Sequence, residues 1–259
     1  LLDTAVLNFE IALNLNPNLD FLFGDYLHTK MKMCDWSNFY ENIDILKSKI
    51  NDSSAVCTSF PLLSLIDDPQ LHLKCAEIYA KKRFSNIDVL PFDTNKYSSN
   101  PACKIKIAYL SPDFREHPVS QLIVEVLESH NRNQFELFGF YFGPKSNDAM
   151  HDRVTAAFDH FFNVTDLSDQ EVSNLVRSHG IDIAVDLAGY TQYCRSEIFA
   201  HRCAPIQINY LGYPGTMGAK FMDYNIADKV VIPEEQSQFY AEKIIYLPDS
   251  YQPNDSKRH

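Results

Sequence analysis

An Asp and a His four residues apart, in Ser111-Pro-Asp-Phe-Arg-Glu-His-Pro118, are the side chains of this chain best placed to do chemistry. Imidazole takes up and releases protons near neutral pH, and a neighbouring carboxylate sets which ring nitrogen carries the hydrogen. Asp113 and His117 are therefore a candidate proton-transfer pair. The competing reading of these two residues alone is a solvated loop whose His does no more than cap a helix.

The flanking residues say what must hold the pair. Lys104 to Leu110 alternates and then turns apolar, as a β-strand does. Val119, Leu122, Ile123, Val126 and Leu127 repeat at helical spacing. Pro118 suits a first helical position, which puts His117 at the N-cap, beside unpaired N–H groups and the positive end of a helix dipole. An anionic ligand would suit that place.

Further strands and helices alternate after residue 103. Strands are expected at 135–142, 160–164, 181–187 and 206–211, and helices near 148–158 and 196–202. Ser168-Asp-Gln-Glu171 is a capping box opening another helix, which stops at Gly180. Repeated strand, helix, strand predicts a parallel α/β sheet of Rossmann type, with ligands outside the carboxyl ends of the strands. Two more loops leave such ends. Asp186-Leu-Ala-Gly-Tyr-Thr191 follows one strand and leads toward Arg195; its glycine allows a close approach, and a plain turn is the alternative. Leu211-Gly-Tyr-Pro-Gly-Thr-Met-Gly218 holds three of the chain's eight glycines within seven residues. Its backbone could meet a phosphate or sugar without side-chain obstruction. It is neither a Walker A loop nor a dinucleotide fingerprint, which disfavours an NTPase or an NAD enzyme.

The 259 residues are 45% hydrophobic and carry a net charge of −11. That suits a globular core and disfavours nucleic acid or an anionic membrane as partner. The six cysteines show neither zinc spacing nor a disulfide framework, which fits a reducing, cytoplasmic setting. No apolar run is long enough to span a bilayer. Before residue 103 the texture is helical, with stripes at Phe39, Ile43, Leu46 and Ile50 and at Leu71, Cys75, Ile78 and Tyr79. Ala5, Phe9, Ala12, Leu13, Leu15 and Pro17 match the second helix of a tetratricopeptide repeat. The lone tryptophan, Trp36, is expected as a packing anchor between helices. Residues 85–101 read as a linker or strap. The expected organisation is 1–35 as the end of a repeat array, 36–101 as a helical collar and linker, and 102–259 as a Rossmann-like lobe.

Taken together and in order, Ser111–Pro118, Asp186–Thr191 with Arg195, Arg202-Cys-Ala-Pro-Ile-Gln207, Leu211–Gly218 and Phe221-Met-Asp-Tyr224 resemble the N-terminal catalytic lobe of the O-linked N-acetylglucosamine transferases. Leu15-Asn-Pro-Asn18 and Cys34-Asp-Trp36 resemble the bacterial members, whose repeats run directly into the catalytic region. The resemblance covers nearly the whole chain. It implies a GT-B enzyme of two Rossmann-like lobes that moves GlcNAc from UDP-GlcNAc to Ser or Thr hydroxyls of proteins, with inversion and without a metal or other cofactor. His117 and Asp113 match active-site positions. Pro118 beside them, Gly189, Tyr190 and Arg195 of the second loop, and Leu211, Gly212, Tyr213 and Pro214 of the third match substrate-binding positions. Expected partners are protein or peptide acceptors and UDP-GlcNAc, not nucleic acid or membrane.

Two departures stand out. Cys57-Thr-Ser-Phe-Pro61 lacks a His that vertebrate members carry in the collar, and Val119 replaces a Thr. The sequence stops at Asn254–His259, where the resemblance places a second, nucleotide-binding lobe, so the expectation is a piece inactive by itself. The alternatives are a GT-B protein glycosyltransferase using UDP-glucose and a catalytically inactive repeat-coupled binding module.

Overall fold

The computed structural model describes residues 1–89, 91–92 and 103–258. The greater part of the expected strap, including Asn95, Ser98, Ser99, Asn100 and Pro101, lies outside the described residues. The chain divides into two compact units. One comprises Leu1–Asn86 together with Gly215–Lys220 and Glu235–Glu242, and the other comprises the remaining described residues.

The first unit is helical: α1 (Leu2–Leu15), α2 (Leu22–Lys32), α3 (Phe39–Asn51), α4 (Ser59–Leu65) and α5 (Pro69–Phe84). Helix α5 begins where Pro69 follows Asp68, whose carboxylate accepts from Leu71 N at 3.1 Å. The apolar stripes come together as expected, with Ile43, Leu46, Ile50, Leu62, Leu71 and Cys75 buried in one core. Trp36 departs from expectation: it is 53% exposed and meets Phe39 edge-on at 5.2 Å. It sits in the link between α2 and α3, outside the stripes whose helical spacing builds the core.

The two late segments are joined to each other through a buried carboxylate. Glu242 accepts from the Thr216 hydroxyl at 2.7 Å and from Met217 N at 2.6 Å. Gly218, at φ +57°, lies so close to α5 that a Cβ would come 2.5 Å from the Ala76 carbonyl carbon.

The second unit is a seven-stranded parallel sheet ordered β3-β2-β1-β4-β5-β6-β7. Its strands are β1 (Ile105–Ser111), β2 (Phe135–Tyr141), β3 (His160–Asn163), β4 (Ile183–Asp186), β5 (Ile206–Asn209), β6 (Tyr224–Ala227) and β7 (Lys243–Tyr246). Between them run α6 (Pro118–Ser129), α7 (Ala149–Ala156), α8 (Asp169–Ser178) and the single turn α9 (Glu197–Ala200). The α/β class and parallel sheet are those the alternation predicts. The capping box also forms, Ser168 Oγ accepting from Glu171 N and Glu171 Oε2 from Ser168 N. Strands β6 and β7 are additions to the sequence reading: four residues each, and half exposed in β7, they carry too short an apolar pattern to be read. Because β1 pairs with both β2 and β4, the chain reverses its direction of travel across the sheet between β1 and β4. That is where ligands bind in open α/β sheets.

Candidate active site

The loop after β1 carries Asp113 and His117. Asp113 is 5% exposed, and burial pushes its carboxyl above the ordinary range against the opposing pull of His117 and Arg115. Its backbone is fixed twice. Its N–H donates to Ser111 Oγ at 2.9 Å, and its carbonyl accepts from Ser120 Oγ at 2.6 Å. Arg115 Nη2 reaches Asp113 Oδ1 at 3.3 Å, and its own Nε is buried with no hydrogen-bond partner among the described residues.

His117 is the N-cap of α6, as the sequence indicates, with Pro118 at the first helical position. Its ring is partly open to solvent, and Nδ1 has two neighbours that demand opposite protonation. It accepts from Val119 N at 3.3 Å and stands 3.6 Å from Asp113 Oδ2. With the hydrogen on Nδ1, the ring faces the carboxylate and leaves the Nε2 lone pair for a substrate proton. With Nδ1 capping the helix, Nε2 becomes a donor.

The residues between the pair are held from the β2 side. Phe114 is fully buried among Tyr141, Phe158 and Phe161. Its carbonyl lies 2.6 Å from His151 Nδ1, and Glu116 N donates to Asp148 Oδ2 at 3.0 Å. These α7 contacts were not legible as site features from the sequence; Asp148 is also the N-cap of α7, accepting from His151 N at 2.8 Å.

The loops after β4 and β5 pack on one another. Asp186, 2% exposed, accepts from Ala188 N at 2.9 Å and Gly189 N at 3.0 Å through the same oxygen. Burial nonetheless raises its carboxyl to about 6, since two hydrogen bonds do not make up for lost water. Gly189 has φ +55°, and a Cβ there would lie 2.3 Å from Tyr213 Cβ; a Cβ on Gly212 would lie 1.9 Å from the Leu187 carbonyl oxygen. Tyr190 and Tyr213 are both buried, their rings 5.6 Å apart. They serve packing, while Leu211, Gly212 and Pro214 keep accessible surface. Leu211, at φ +73°, lines with Tyr213 and Pro214 an apolar cavity of about 280 Å³ closed by Ile226, Val231 and Tyr251. A larger hollow of about 620 Å³ lies at the amino ends of β1 and β4, between Lys104, Arg177 and Asp182. Parallel sheets do not place their chemistry at that end.

Arg195 is used within the fold. Its Nε pairs with Asp169 at 2.5 Å, and its other nitrogens donate to the carbonyls of Val164 and Leu167. The structure thus joins Asp113, His117 and Pro118 on one side of the strand reversal, and Gly189, Tyr190 and Leu211–Pro214 on the other. It ties Arg195 to the turn before α8. Among the described residues no three His, Cys, Asp or Glu side chains gather as a metal site.

The chain is similar to known proteins in sequence and in fold. A family described as Glycosyl transferase family 41 matches residues 33–258. A probable UDP-N-acetylglucosamine–peptide N-acetylglucosaminyltransferase, SEC, of Arabidopsis thaliana is 32% identical over 250 residues, covering 90% of this chain and 25% of the relative. A UDP-N-acetylglucosamine–peptide N-acetylglucosaminyltransferase of Caenorhabditis elegans is 32% identical over 61% of this chain and 14% of its own. A solved structure of an O-GlcNAc transferase mutant of Thermobaculum terrenum superposes with a TM-score of 0.74 at 26% identity, covering 97% of this chain and 48% of that one. The chain thus spans about a quarter of the plant relative and about half of the solved structure.

Proposed function

The chain belongs to glycosyl transferase family 41, and on that premise we propose that the whole protein transfers GlcNAc from UDP-GlcNAc to Ser or Thr hydroxyls of proteins. This stretch supplies the acceptor-side lobe of a GT-B enzyme. Spanning about half of the Thermobaculum chain, it needs a second lobe for most contacts to the nucleotide and is inactive without it. The observation that carries the reading is the Asp113–His117 pair, 3.6 Å apart at the carboxyl end of β1 and the start of α6.

An alkyl hydroxyl attacks an anomeric carbon poorly until its proton has somewhere to go. In the tautomer with Nδ1–H toward Asp113, His117 Nε2 accepts that proton as the new C–O bond forms and the bond to UDP breaks. Attack from the face opposite UDP inverts the anomeric centre. Asp113 stabilises the imidazolium that results. The departing diphosphate is held by cations and helix dipoles, with no metal required. Leu211, Gly212 and Pro214 border the donor sugar, with Gly189 and Tyr190 shaping the floor beneath it.

The test is transfer of labelled GlcNAc to an acceptor peptide by the full-length protein. His117→Ala is expected to lower kcat by about 100-fold or more while donor binding persists. Transfer at the parent rate would remove His117 from the active site.

A further inference from the structure

Three residues separate Asp113 from His117, and two of them are tied to the N-terminal turn of α7. The Phe114 carbonyl takes a hydrogen from His151 Nδ1, which must therefore carry one, and Glu116 N donates to Asp148 Oδ2. Both contacts bridge more than 30 residues of sequence. Each partner is itself anchored. The His151 ring packs on Tyr141 and Phe161 at 5.2 and 5.7 Å, and Asp148 caps α7. Burial works against the Asp148 charge, but hydrogen bonds from Glu116 N, Ser146 Oγ and the α7 backbone prevail and hold its carboxyl down to about 2. It is an acceptor at every pH at which the protein would work.

What this clamp controls is a small distance. Nδ1 of His117 is 3.3 Å from Val119 N and 3.6 Å from Asp113 Oδ2, both at or beyond the long limit of a good hydrogen bond. A shift of a few tenths of an ångström in residues 114–116 decides which partner wins, and with it whether Nε2 is a base or a donor. Ser111 and Ser120 fix the Asp113 end of the loop. At the other end α6 holds the His117 backbone, whose carbonyl accepts from Gln121 N at 3.0 Å, and the stretch between is tied across to α7.

We propose that Asp148 and His151 are positioning residues of the active site: by holding Glu116 and Phe114 they set the Asp113–His117 separation and so the tautomer in which His117 acts as base. The proposal rests on the transferase reading for its effect on rate, but its effect on His117 does not need turnover.

Three variants of the full-length protein separate the donor from the packing. His151→Phe keeps an aromatic ring against Tyr141 and Phe161 and deletes the donor. His151→Asn restores an N–H near the Nδ1 position. Asp148→Asn keeps one acceptor for the α7 cap and replaces the other. His151→Phe and Asp148→Asn are each expected to lower kcat about ten-fold. KM for donor and acceptor should change by less than about two-fold, and His151→Asn should recover most of the rate. Nitrogen-15 spectra of His117, assigned by their loss in His117→Ala, should move toward the Nε2–H tautomer in both impaired variants. Unmoved His117 resonances would overturn the proposal. So would a rate loss that follows melting temperature alone, with His151→Asn no better than His151→Phe. A protein that transfers no GlcNAc but shows the stated His117 shifts would sink the transferase reading and uphold the positioning.

Discussion

The loop after β1 and the paired loops after β4 and β5 flank the same reversal of strand order, yet they differ in what closes them. The first is pinned by polar side chains: Ser111, Ser120, Asp148 and His151 each make one bond to its backbone. The second pair also takes side-chain bonds, Asp186 accepting from Ala188 and Gly189 and Asn209 donating to Tyr213, but what interlocks it is the absence of side chains at Gly189 and Gly212, where two backbones approach to distances that no Cβ could share. The lesson concerns what each can do. A loop held by replaceable hydrogen bonds can tune a proton carrier by small shifts, whereas one held by steric contact provides a fixed wall.

The largest effect expected from this contrast comes from breaking the wall. Gly212→Ala would place a Cβ 1.9 Å from the Leu187 carbonyl oxygen, and neither backbone can yield without distorting the sheet edge. Thermal denaturation should register a loss of about 3 kcal/mol, and a melting temperature equal to the parent's would show the interlock to be slack.

Next comes Asp186, a carboxyl buried beneath the wall. Asp186 titrates at about 6 in the fold against an ordinary 3.8, so the native state prefers the protonated form. Its stabilising effect is complete below pH 3.8 and disappears as pH rises through 6. Asp186→Asn keeps the acceptor for Ala188 and Gly189 without the charge. It should stabilise the protein above pH 7 by at most about 3 kcal/mol and have almost no effect near pH 3.5. A destabilising effect at pH 8 in chemical denaturation would mean that the charge itself holds the turn.

The smallest effect belongs to the tunable side. The Asp148 carboxyl is depressed to about 2, so its contribution is present above pH 3.8 and is lost as pH falls toward 2. Asp148→Ala removes the α7 cap and should cost about 1 kcal/mol at pH 7, shrinking as pH falls from 3.8 through 2. A cost equal at pH 7 and at pH 2 would refute the carboxylate's role.

Much of this was readable from residue order. The run from Ile105 to Leu127 contains a strand, a loop and a helix whose proline and capping His announce its start, and the structure places them there. Ser168 and Glu171 likewise announced α8. Arg195 was not readable in the same way, because its partners Asp169, Val164 and Leu167 lie 26 to 31 residues earlier and no spacing rule links them. Trp36 misled for a related reason: a large apolar side chain suggests burial, but its place in an interhelical link puts it off the packed face.

By itself, then, the sequence determined the alternation of strands and helices, the loops that leave the carboxyl ends, and the presence of Asp113 and His117 on one of them. These follow from periodicity and capping, which act over a few residues. Tertiary structure alone decided that β1 lies between β2 and β4, that Asp148 and His151 clamp the loop between the pair, and that Thr216 belongs with Glu242 in the helical unit. Those contacts join residues 25 or more positions apart. Only packing the whole chain brings such groups within hydrogen-bond reach, so no local pattern encodes them.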